Sequence, residues 1–352
     1  MLYINNNPDY ISQLANNWYR KLNKFLTLKK QYWVEYMPSR KKKKKKRVYF
    51  GTYMDKMKGN VSLSNLSVAE KKICEQYIND FMSKLLDYST ANEFDLKSFH
   101  DKYQTEMLNN PTEQKVNAHA MLSDVFMKLY ENFTESEPIF EELDDKEDKE
   151  LYSHVSIAYY FFLKLNIRTC PYCNRNYTFT IHGNVKKTRP EYDHFYAKSN
   201  YPLLAVSFYN LVPSCHTCNH IKLDDSLFIN PFFHGFKGRF TMTYDGHYEG
   251  YKAKINEETK DMSVLGLDQL YPLHDDYVQE IFDKANSYNK HAREALINSF
   301  QGAGESPSKV FEFVWGKNME EARHINRPLS KLTHDILEQV GVIENSNDDS
   351  ET

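Results

Sequence analysis

The sequence is poor in the residues that punctuate short strands and tight turns, since only 12 of its 352 residues are glycine and 12 are proline. A fold built from many short strands needs more of them, so we expect mainly helices. The sequence also lacks an apolar run near the roughly 18 residues that cross a bilayer. Its first residues, Met1 to Asn7, have neither the positive start nor the apolar stretch of a secretory signal. We therefore expect a cytoplasmic protein with no membrane partner.

Cysteine is scarce as well, and an odd total of five without a signal sequence argues against a disulfide framework. Four of the five form two Cys-x-x-Cys pairs, Cys170/Cys173 and Cys215/Cys218, with 41 residues between the pairs. Paired thiolates at this spacing are typical of four-cysteine zinc sites. We predict a structural Zn2+ bound by these four residues. The fifth, Cys74, is predicted to be a buried and inert thiol.

Neither sign of charge dominates, because 45 basic and 48 acidic side chains leave a formal net charge of −3. Two segments depart from this balance. Lys41 to Lys46 form the centre of a run of eight basic residues, and residues 135–150 carry nine acids and two lysines. Such runs are usually solvated loops or linkers. The polylysine run has a second interpretation, which is capture of a nucleic-acid backbone.

Apolar periodicity predicts helices over most of the chain. The predicted helices cover residues 8–36, 67–88, 115–133, 151–165, 276–300, 308–325 and 328–340. Strand patterns are confined to Tyr177–Ile181 and to a hairpin around Asp245-Gly246. We therefore predict an α+β fold that is mainly helical. Its regions are a helical N-terminal region (1–150, for partner or nucleic-acid binding), a central module (151–235), a hairpin plus helical C-terminal region (236–343) and a disordered acidic tail (344–352).

Polar residues suited to hydrolytic chemistry surround the two cysteine pairs. Asp193-His194 and Asn210 lie between the pairs, Asn219 follows the last cysteine directly, and Lys222 comes three residues after Asn219. Aspartate and asparagine oxygens suit Mg2+ or Mn2+. Histidine can accept a proton near neutral pH. Any one of these residues alone would more often be structural, and the combination in this order is what indicates a site.

This combination resembles the HNH endonucleases, also called ββα-metal nucleases, in the branch framed by two Cys-x-x-Cys pairs. The resemblance covers about sixty residues and implies a central zinc-stapled ββα-metal module that hydrolyses DNA or RNA. It implies that His194 is the general base and that Asp193 and Asn219 hold the catalytic Mg2+ or Mn2+. Asn210 would orient the loop that carries His194, and Lys222 would contact phosphate.

A narrower resemblance concerns the HNH effectors of bacterial anti-phage systems of the Septu and retron-associated type. Cys170-Pro171-Tyr172-Cys173-Asn174-Arg175 is similar to their first knuckle, and Ile229-Asn230-Pro231-Phe232, the Asp245-Gly246 hairpin and Val264-Leu265-Gly266-Leu267-Asp268 follow in their order. Such effectors work with an ABC- or SMC-like ATPase. The resemblance therefore implies an anti-phage role and an ATPase partner, and it does not extend to residues 1–150.

Local charge agrees with an anionic substrate. Residues 168–240 contain nine Lys/Arg and four Asp/Glu, a net charge of +5 before any metal is counted. This excess is enough for attraction to a phosphate backbone, but it does not indicate that a base sequence is recognised. The alternative function is a noncatalytic zinc ribbon that binds nucleic acid or a protein. His216 and His220, next to the second cysteine pair, are expected to be exposed to solvent.

Overall fold

The computed structural model describes residues 2–4, 7–35, 66–135, 155–183, 185–247, 249–256, 259–302 and 307–343. Lys41 to Lys46, residues 136–150 of the acidic stretch and the acidic tail 344–352 lie outside the described residues, as do the predictions made for them. Helices predominate and the sheets are small, so the mainly helical α+β class is confirmed. In the part of the chain that the structure describes, no helix has the length and apolar character that a bilayer crossing requires.

The N-terminal part is helical. Its helices are α1 (Pro8–Glu35), α2 (Val68–Ser83), α3 (Leu85–Thr90), α4 (Glu93–Tyr103) and α5 (Glu113–Glu135), with one π-helical turn (Gln104–Leu108) after α4. The single helix predicted for 67–88 is divided at Lys84, which is the C-cap of α2 and the N-cap of α3. Helix α2 begins with a capping box in which Ser67 and Glu70 satisfy each other's backbone N–H. Cys74 is buried on this helix, as predicted.

The central part combines one buried helix with short strands. Its elements are α6 (Ile157–Leu165), β1 (Ile181–His182), β2 (Lys187–Thr188), β3 (Glu191–His194), β4 (Leu211–Ser214) and α7 (His216–Lys222). Strand β3 pairs with β4 in antiparallel register, with Asp193 opposite Val212 and His194 opposite Leu211. The strand predicted for Tyr177–Ile181 is mostly wrong, because only Ile181 enters a two-residue strand and Tyr177 makes one isolated bridge, to Thr169.

The C-terminal part contains the predicted hairpin followed by helices. Its elements are β5 (Phe240–Asp245), β6 (Gly250–Ile255), α8 (Lys260–Val264), α9 (Leu267–Leu270), α10 (Asp275–Ser287), α11 (Lys290–Gly302), α12 (Pro307–Trp315) and α13 (Ser330–Gln339). The long helices predicted for 276–300 and 308–325 are each shorter than expected. The first is divided around Tyr288, and the second ends at Trp315 and is followed by a 3-10 turn (Glu321–Asn326).

One cluster of buried apolar side chains includes residues from all three predicted regions. Trp18 of α1 is fully buried, and its indole N–H donates to the Val206 carbonyl at 2.8 Å. The same ring meets Phe133 of α5 and Phe161 of α6 edge-on, with centroids 4.9 Å away in each case. Such aromatic contacts add to the free energy gained by burying the rings. Helix α1 is therefore part of the support of the central module.

Two further contacts fix the first cysteine pair against distant parts of the chain. Leu2 N–H donates to the Pro171 carbonyl at 2.6 Å, inside the Cys-x-x-Cys element. On the other side, the Asn174 side-chain amide donates to the carbonyls of His324 and Arg327, each at 3.0 Å. The first cysteine pair thus contacts both ends of the described chain.

Candidate functional site

The four paired cysteines meet in one buried cluster. The ligand atoms of Cys170, Cys173, Cys215 and Cys218 all lie within 4.8 Å of one another, and the Cys173 and Cys215 sulfurs are 3.9 Å apart. A tetrahedral zinc with Zn–S bonds of about 2.3 Å requires sulfurs about 3.8 Å apart. The donor set and its dimensions therefore fit an ion such as zinc, and the predicted pairing of the two Cys-x-x-Cys elements is confirmed.

The first knuckle has the local geometry that turns backbone and side-chain donors toward sulfur. Asn174 adopts a left-handed conformation with φ of 46°, which asparagine tolerates better than most residues. Its N–H closes a turn onto the Cys170 carbonyl at 2.7 Å. After this turn, the Arg175 N–H points at the Cys173 sulfur at 3.4 Å and the Asn176 amide at the Cys215 sulfur at 3.3 Å. Donors to sulfur favour the thiolate form that a metal needs.

The thiols differ in acidity because they interact with one another. Burial raises the pKa of Cys170, whereas hydrogen bonds from the neighbouring thiols, that of Cys170 first, lower the pKa of Cys215. A hydrogen bond between Cys170 and Cys173 likewise lowers the pKa of Cys173. One thiolate in the cluster is thus stabilised at the expense of another. Four thiolates together need a cation to balance their charge.

Strand β3 presents alternate side chains to two sides, as a strand must. Glu191 and Asp193 face α7, where their partners are Asn219 and Lys222 respectively. Tyr192, on the opposite side, donates its hydroxyl to a carbonyl of α6. His194 has its partners in the segment after β3 and on α5. The strand therefore carries two separate sets of polar contacts.

Asp193 and Lys222 form a buried ion pair. The Lys222 ammonium is 3.2 Å from Asp193 Oδ1, and the two side chains are 0% and 2% exposed. Tyr172 donates its hydroxyl to Asp193 Oδ2 at 2.6 Å, and Lys222 also donates to the His194 carbonyl at 2.9 Å. Burial raises the pKa of Asp193, while Lys222 and Tyr172 oppose this effect. Both carboxylate oxygens of Asp193 thus have protein partners.

His194 is buried and neutral. Its Nε2 lies 3.0 Å from the Ala205 carbonyl, so this nitrogen carries the proton and donates it to the carbonyl oxygen. Among the described residues Nδ1 has no hydrogen-bond partner, and its lone pair is free to accept a proton. Burial, with a smaller effect of the Lys198 charge, lowers the pKa of His194 to about 3. The edge of the ring also contacts Tyr130, with centroids 4.7 Å apart.

Asn210 fixes the segment that follows His194. Its side-chain carbonyl accepts the Tyr196 N–H at 2.8 Å, and its amide donates to the carbonyls of Tyr196 and Leu204 at 3.1 and 3.0 Å. The backbone carbonyl of Asn210 also accepts the Phe195 N–H. The side chain is fully buried and its hydrogen bonds go to Tyr196 and Leu204, so it holds the loop that carries the His194 partner Ala205.

Asn219 lies on the more exposed part of this surface and contacts Glu191 instead of Asp193. Its amide donates to Glu191 Oε2 at 2.6 Å, and the exposed His216 ring lies 2.8 Å from Oε1. Burial alone would raise the pKa of Glu191, but the His216 and Asn219 contacts leave it below its usual value. His216 and His220 are exposed, as predicted, and their rings stack with centroids 5.6 Å apart.

The structure thus joins Asp193, Lys222 and the backbone carbonyl of His194 by hydrogen bonds, turns the His194 imidazole to the other side of β3, and places Asn219 beside Glu191. The two residues predicted to share a catalytic cation, Asp193 and Asn219, have no partner in common among the described contacts. Sequence reasoning missed Glu191 and Tyr172. Glu191 could have been found, because two residues before Asp193 on a strand is the same face. Nothing local in the sequence links Tyr172 to Asp193.

A second group of possible metal ligands lies on α13. Ligand atoms of His334, Asp335 and Glu338 are within 4.8 Å of one another. Lys331 lies 2.9 Å from the Asp335 carboxylate and Arg239 lies 3.0 Å from Glu338. Because each carboxylate already has a basic partner, this group is accounted for as an ion-pair network.

Comparison with protein-family models, with curated proteins and with solved structures finds no match to this chain.

Proposed function

We propose that this protein is a metal-dependent endonuclease of the HNH type that hydrolyses phosphodiester bonds. One observation carries the proposal. Beside the four-cysteine cluster, β3, β4 and α7 hold the Asp193–Lys222 pair against the backbone carbonyl of His194, and on the other side of β3 the Ala205 carbonyl holds the His194 imidazole in one tautomer. This arrangement supports the roles that the sequence resemblance implies.

His194 is suited to accept a proton from an attacking water. Its Nε2–H is committed to the Ala205 carbonyl, so the Nδ1 lone pair is the one available for proton transfer. Burial lowers the pKa of His194 to about 3, which leaves the imidazole neutral but makes it a weaker base than one whose pKa lies near the operating pH. Asn210 holds the loop on which Ala205 lies and thereby the orientation of the ring. The orientation of the His194 imidazole would then depend on the hydrogen bonds of Asn210 to Tyr196 and Leu204.

The oxygen atoms on the α7 side of β3 are the proposed ligands for Mg2+ or Mn2+. Asp193 and Asn219 come from the sequence resemblance, and Glu191, which already contacts Asn219, is added from its position. Carboxylate and amide oxygens are the donors that these hard ions prefer. Such an ion would neutralise phosphate charge and stabilise the leaving oxygen. Lys222 is fully buried against Asp193, so its proposed contact with phosphate requires this ion pair to open.

A noncatalytic zinc ribbon that binds nucleic acid or a protein is the second candidate. The burial of Asp193 and Lys222 favours it, because a buried ion pair with a tyrosine partner can serve the fold alone. The two candidates differ in whether the protein cleaves the nucleic acid that it binds.

The experiment incubates the purified, zinc-containing protein with plasmid DNA, single-stranded DNA and structured RNA in Mg2+, Mn2+ or EDTA. We expect cleavage with a divalent cation and none in EDTA. Binding without cleavage of every substrate in every cation would contradict the nuclease and leave the zinc ribbon.

The anti-phage role and an ABC- or SMC-like ATPase partner rest on the sequence resemblance alone. We propose both together, since a nuclease without base-level contacts needs a partner that restricts it. Co-expression with an ATPase encoded beside it should yield one complex on gel filtration. Elution of the two proteins as separate species would contradict the partnership.

A further inference from the structure

The segment after the first cysteine pair exposes large apolar side chains to solvent. Tyr177, Phe179 and Ile181 are 55%, 52% and 55% exposed, whereas Thr178 between them is buried and donates its hydroxyl to the Ile167 carbonyl. An extended segment at a protein surface usually turns its apolar side chains inward and its polar ones outward. Here the pattern is inverted. Neighbouring exposed apolar side chains of this kind mark interaction sites.

The Tyr177 and Phe179 rings form a stacked pair, which we call the platform, and its outer ring faces are the surfaces open to a ligand. Tyr177 and Phe179 stack with centroids 4.6 Å apart and an angle of 17° between the ring planes. This stacking, together with the high exposure of both rings, leaves π surface open to solvent. An open ring face suits a planar ligand better than an aliphatic one.

The charged residues of the segment that carries the platform have one sign. Between Arg168 and Pro190 the sequence contains five basic residues and no acidic residue. Arg168, Lys186 and Lys187 are exposed, and Lys187 belongs to β2, which pairs with β1 directly after Phe179. A planar platform beside an unopposed positive charge matches a ligand that has flat rings and a negative backbone. Nucleic acid combines these two properties, and stacking on aromatic side chains needs bases that are not already paired and stacked in a duplex.

The platform is anchored to the cysteine cluster and leads into the candidate active site. The residue before Tyr177, Asn176, donates to the Cys215 sulfur, and Thr178 N–H donates to the Arg168 carbonyl at 2.9 Å. After β2 the chain continues through Arg189, whose guanidinium lies 5.6 Å from the Phe162 ring centroid, into β3. The order along the chain is therefore the first cysteine pair, the platform, the β1–β2 hairpin with Lys186 and Lys187 (the basic hairpin), and then β3 with Asp193 and His194.

We propose that Tyr177 and Phe179 stack on unpaired bases and that the basic hairpin holds the phosphate backbone of the same strand. The ligand class is single-stranded DNA or RNA, including unpaired loops. The claim that this bound strand is also the substrate rests on the proposed nuclease function. The binding claim does not, because it depends only on the exposed platform and its charge.

The test measures binding by fluorescence anisotropy in EDTA, so that cleavage plays no part. Labelled single-stranded DNA, single-stranded RNA and a duplex of the same sequence are titrated with the zinc-containing protein at fixed salt. Stacking is worth about 1–3 kcal/mol per base on alanine substitution, which is roughly a 5- to 150-fold change in Kd. Tyr177→Ala/Phe179→Ala should therefore weaken single-strand binding at least about tenfold and leave duplex binding nearly unchanged.

Two control variants separate stacking on the platform from loss of the tyrosine hydroxyl and from nonspecific binding to any exposed aromatic ring. Tyr177→Phe keeps the ring and should keep the affinity. Phe94→Ala removes a ring that is 79% exposed but lies between Glu93 and Asp95, and it should have no effect. Lys186→Ala/Lys187→Ala should weaken binding and reduce the dependence of Kd on salt concentration. A preference for DNA or RNA in the wild-type titrations identifies which strand the platform takes.

Unchanged single-strand binding by the double alanine variant would overturn the proposal, as would an equal loss for single strand and duplex. Absence of any oligonucleotide binding by the wild type would also overturn it and would point to a protein as the occupant. The nuclease assay is separate. Cleavage that survives in the double alanine variant at full rate overturns the claim that the bound strand is the substrate, whereas platform-dependent binding without cleavage in any cation overturns the nuclease alone.

Discussion

At the residue scale, the Asp193–Lys222 pair is the most consequential contact of the candidate site. Both side chains are nearly inaccessible to solvent, and Lys222 also holds the His194 carbonyl. Removing one partner of a buried ion pair leaves the other charge without compensation, which is far costlier than losing a pair at the surface. The pair therefore stabilises the fold as well as positioning the residues of the proposed active site.

We predict that Lys222→Met lowers the free energy of unfolding by about 3–5 kcal/mol, because Asp193 is left buried and uncompensated. Urea denaturation followed by circular dichroism measures the change. The matched control is Lys97→Met, which breaks the exposed Lys97–Asp101 pair on α4 and should cost less than about 1 kcal/mol.

The double variant Lys222→Met/Asp193→Leu should recover part of the loss, since it removes the uncompensated charge but leaves the Tyr172 hydroxyl and the His194 carbonyl without these partners. A Lys222→Met protein that is as stable as the wild type would show that the pair is not intact in solution.

At the element scale, the knuckles and the β3–β4–α7 unit show what local sequence can and cannot specify. Each Cys-x-x-Cys pair is a short-range pattern whose geometry follows from its spacing, and so the sequence predicted the cysteine cluster correctly. The partners of Asp193 come from 21 residues earlier and 29 residues later in the chain. Such pairings depend on how β3, the first knuckle and α7 pack, which no local pattern specifies.

The exposed platform also shows that local sequence does not specify tertiary contacts, in this case for a predicted strand. The aromatic and β-branched residues of Tyr177–Ile181 predicted a strand, and in the structure alternate side chains of this segment face opposite sides. Among the described residues, the ladder contacts of this segment are one backbone bridge at Tyr177 and the two-residue strand that begins at Ile181. The five residues therefore do not form one continuous strand. Which side faces outward is decided by the hydrogen bond of Thr178 to Ile167, and this is a tertiary contact.

We predict that Cys218→Ser loses about one zinc ion per chain, because a tetrahedral site needs all four sulfurs. Metal analysis of the purified protein and thermal unfolding should show loss of the ion together with loss of stability, since binding of a structural metal is part of the folding free energy.

Cys74→Ser is the matched control, because Cys74 is equally buried but donates weakly to the Ala118 carbonyl on α5, away from the cluster. It should keep full zinc content. Full zinc content in Cys218→Ser would refute the assignment of the site.

At the scale of the whole molecule, one hydrophobic core joins regions that the sequence divided at residues 150 and 235. Trp18 bonds to Val206, Leu2 to Pro171 and Thr169 to Ile325, so the central module is contacted from both sides. The helical class followed from composition and periodicity. The shared core could not be predicted in that way, because these contacts are separated by more than 150 residues. The flanking regions are therefore part of the support of the site, whatever else they bind.

The most direct test of the nuclease proposal is the single-turnover cleavage rate of His194→Ala in the cation that best supports the wild type. We expect a rate about two to four orders of magnitude lower, which is the usual contribution of a general base, with zinc content and oligonucleotide affinity equal to those of the wild type. His291→Ala, which removes a histidine that is 94% exposed on α11, should cleave at the wild-type rate. A His194→Ala protein that cleaves as fast as the wild type would contradict the assigned base, and with it the proposed mechanism.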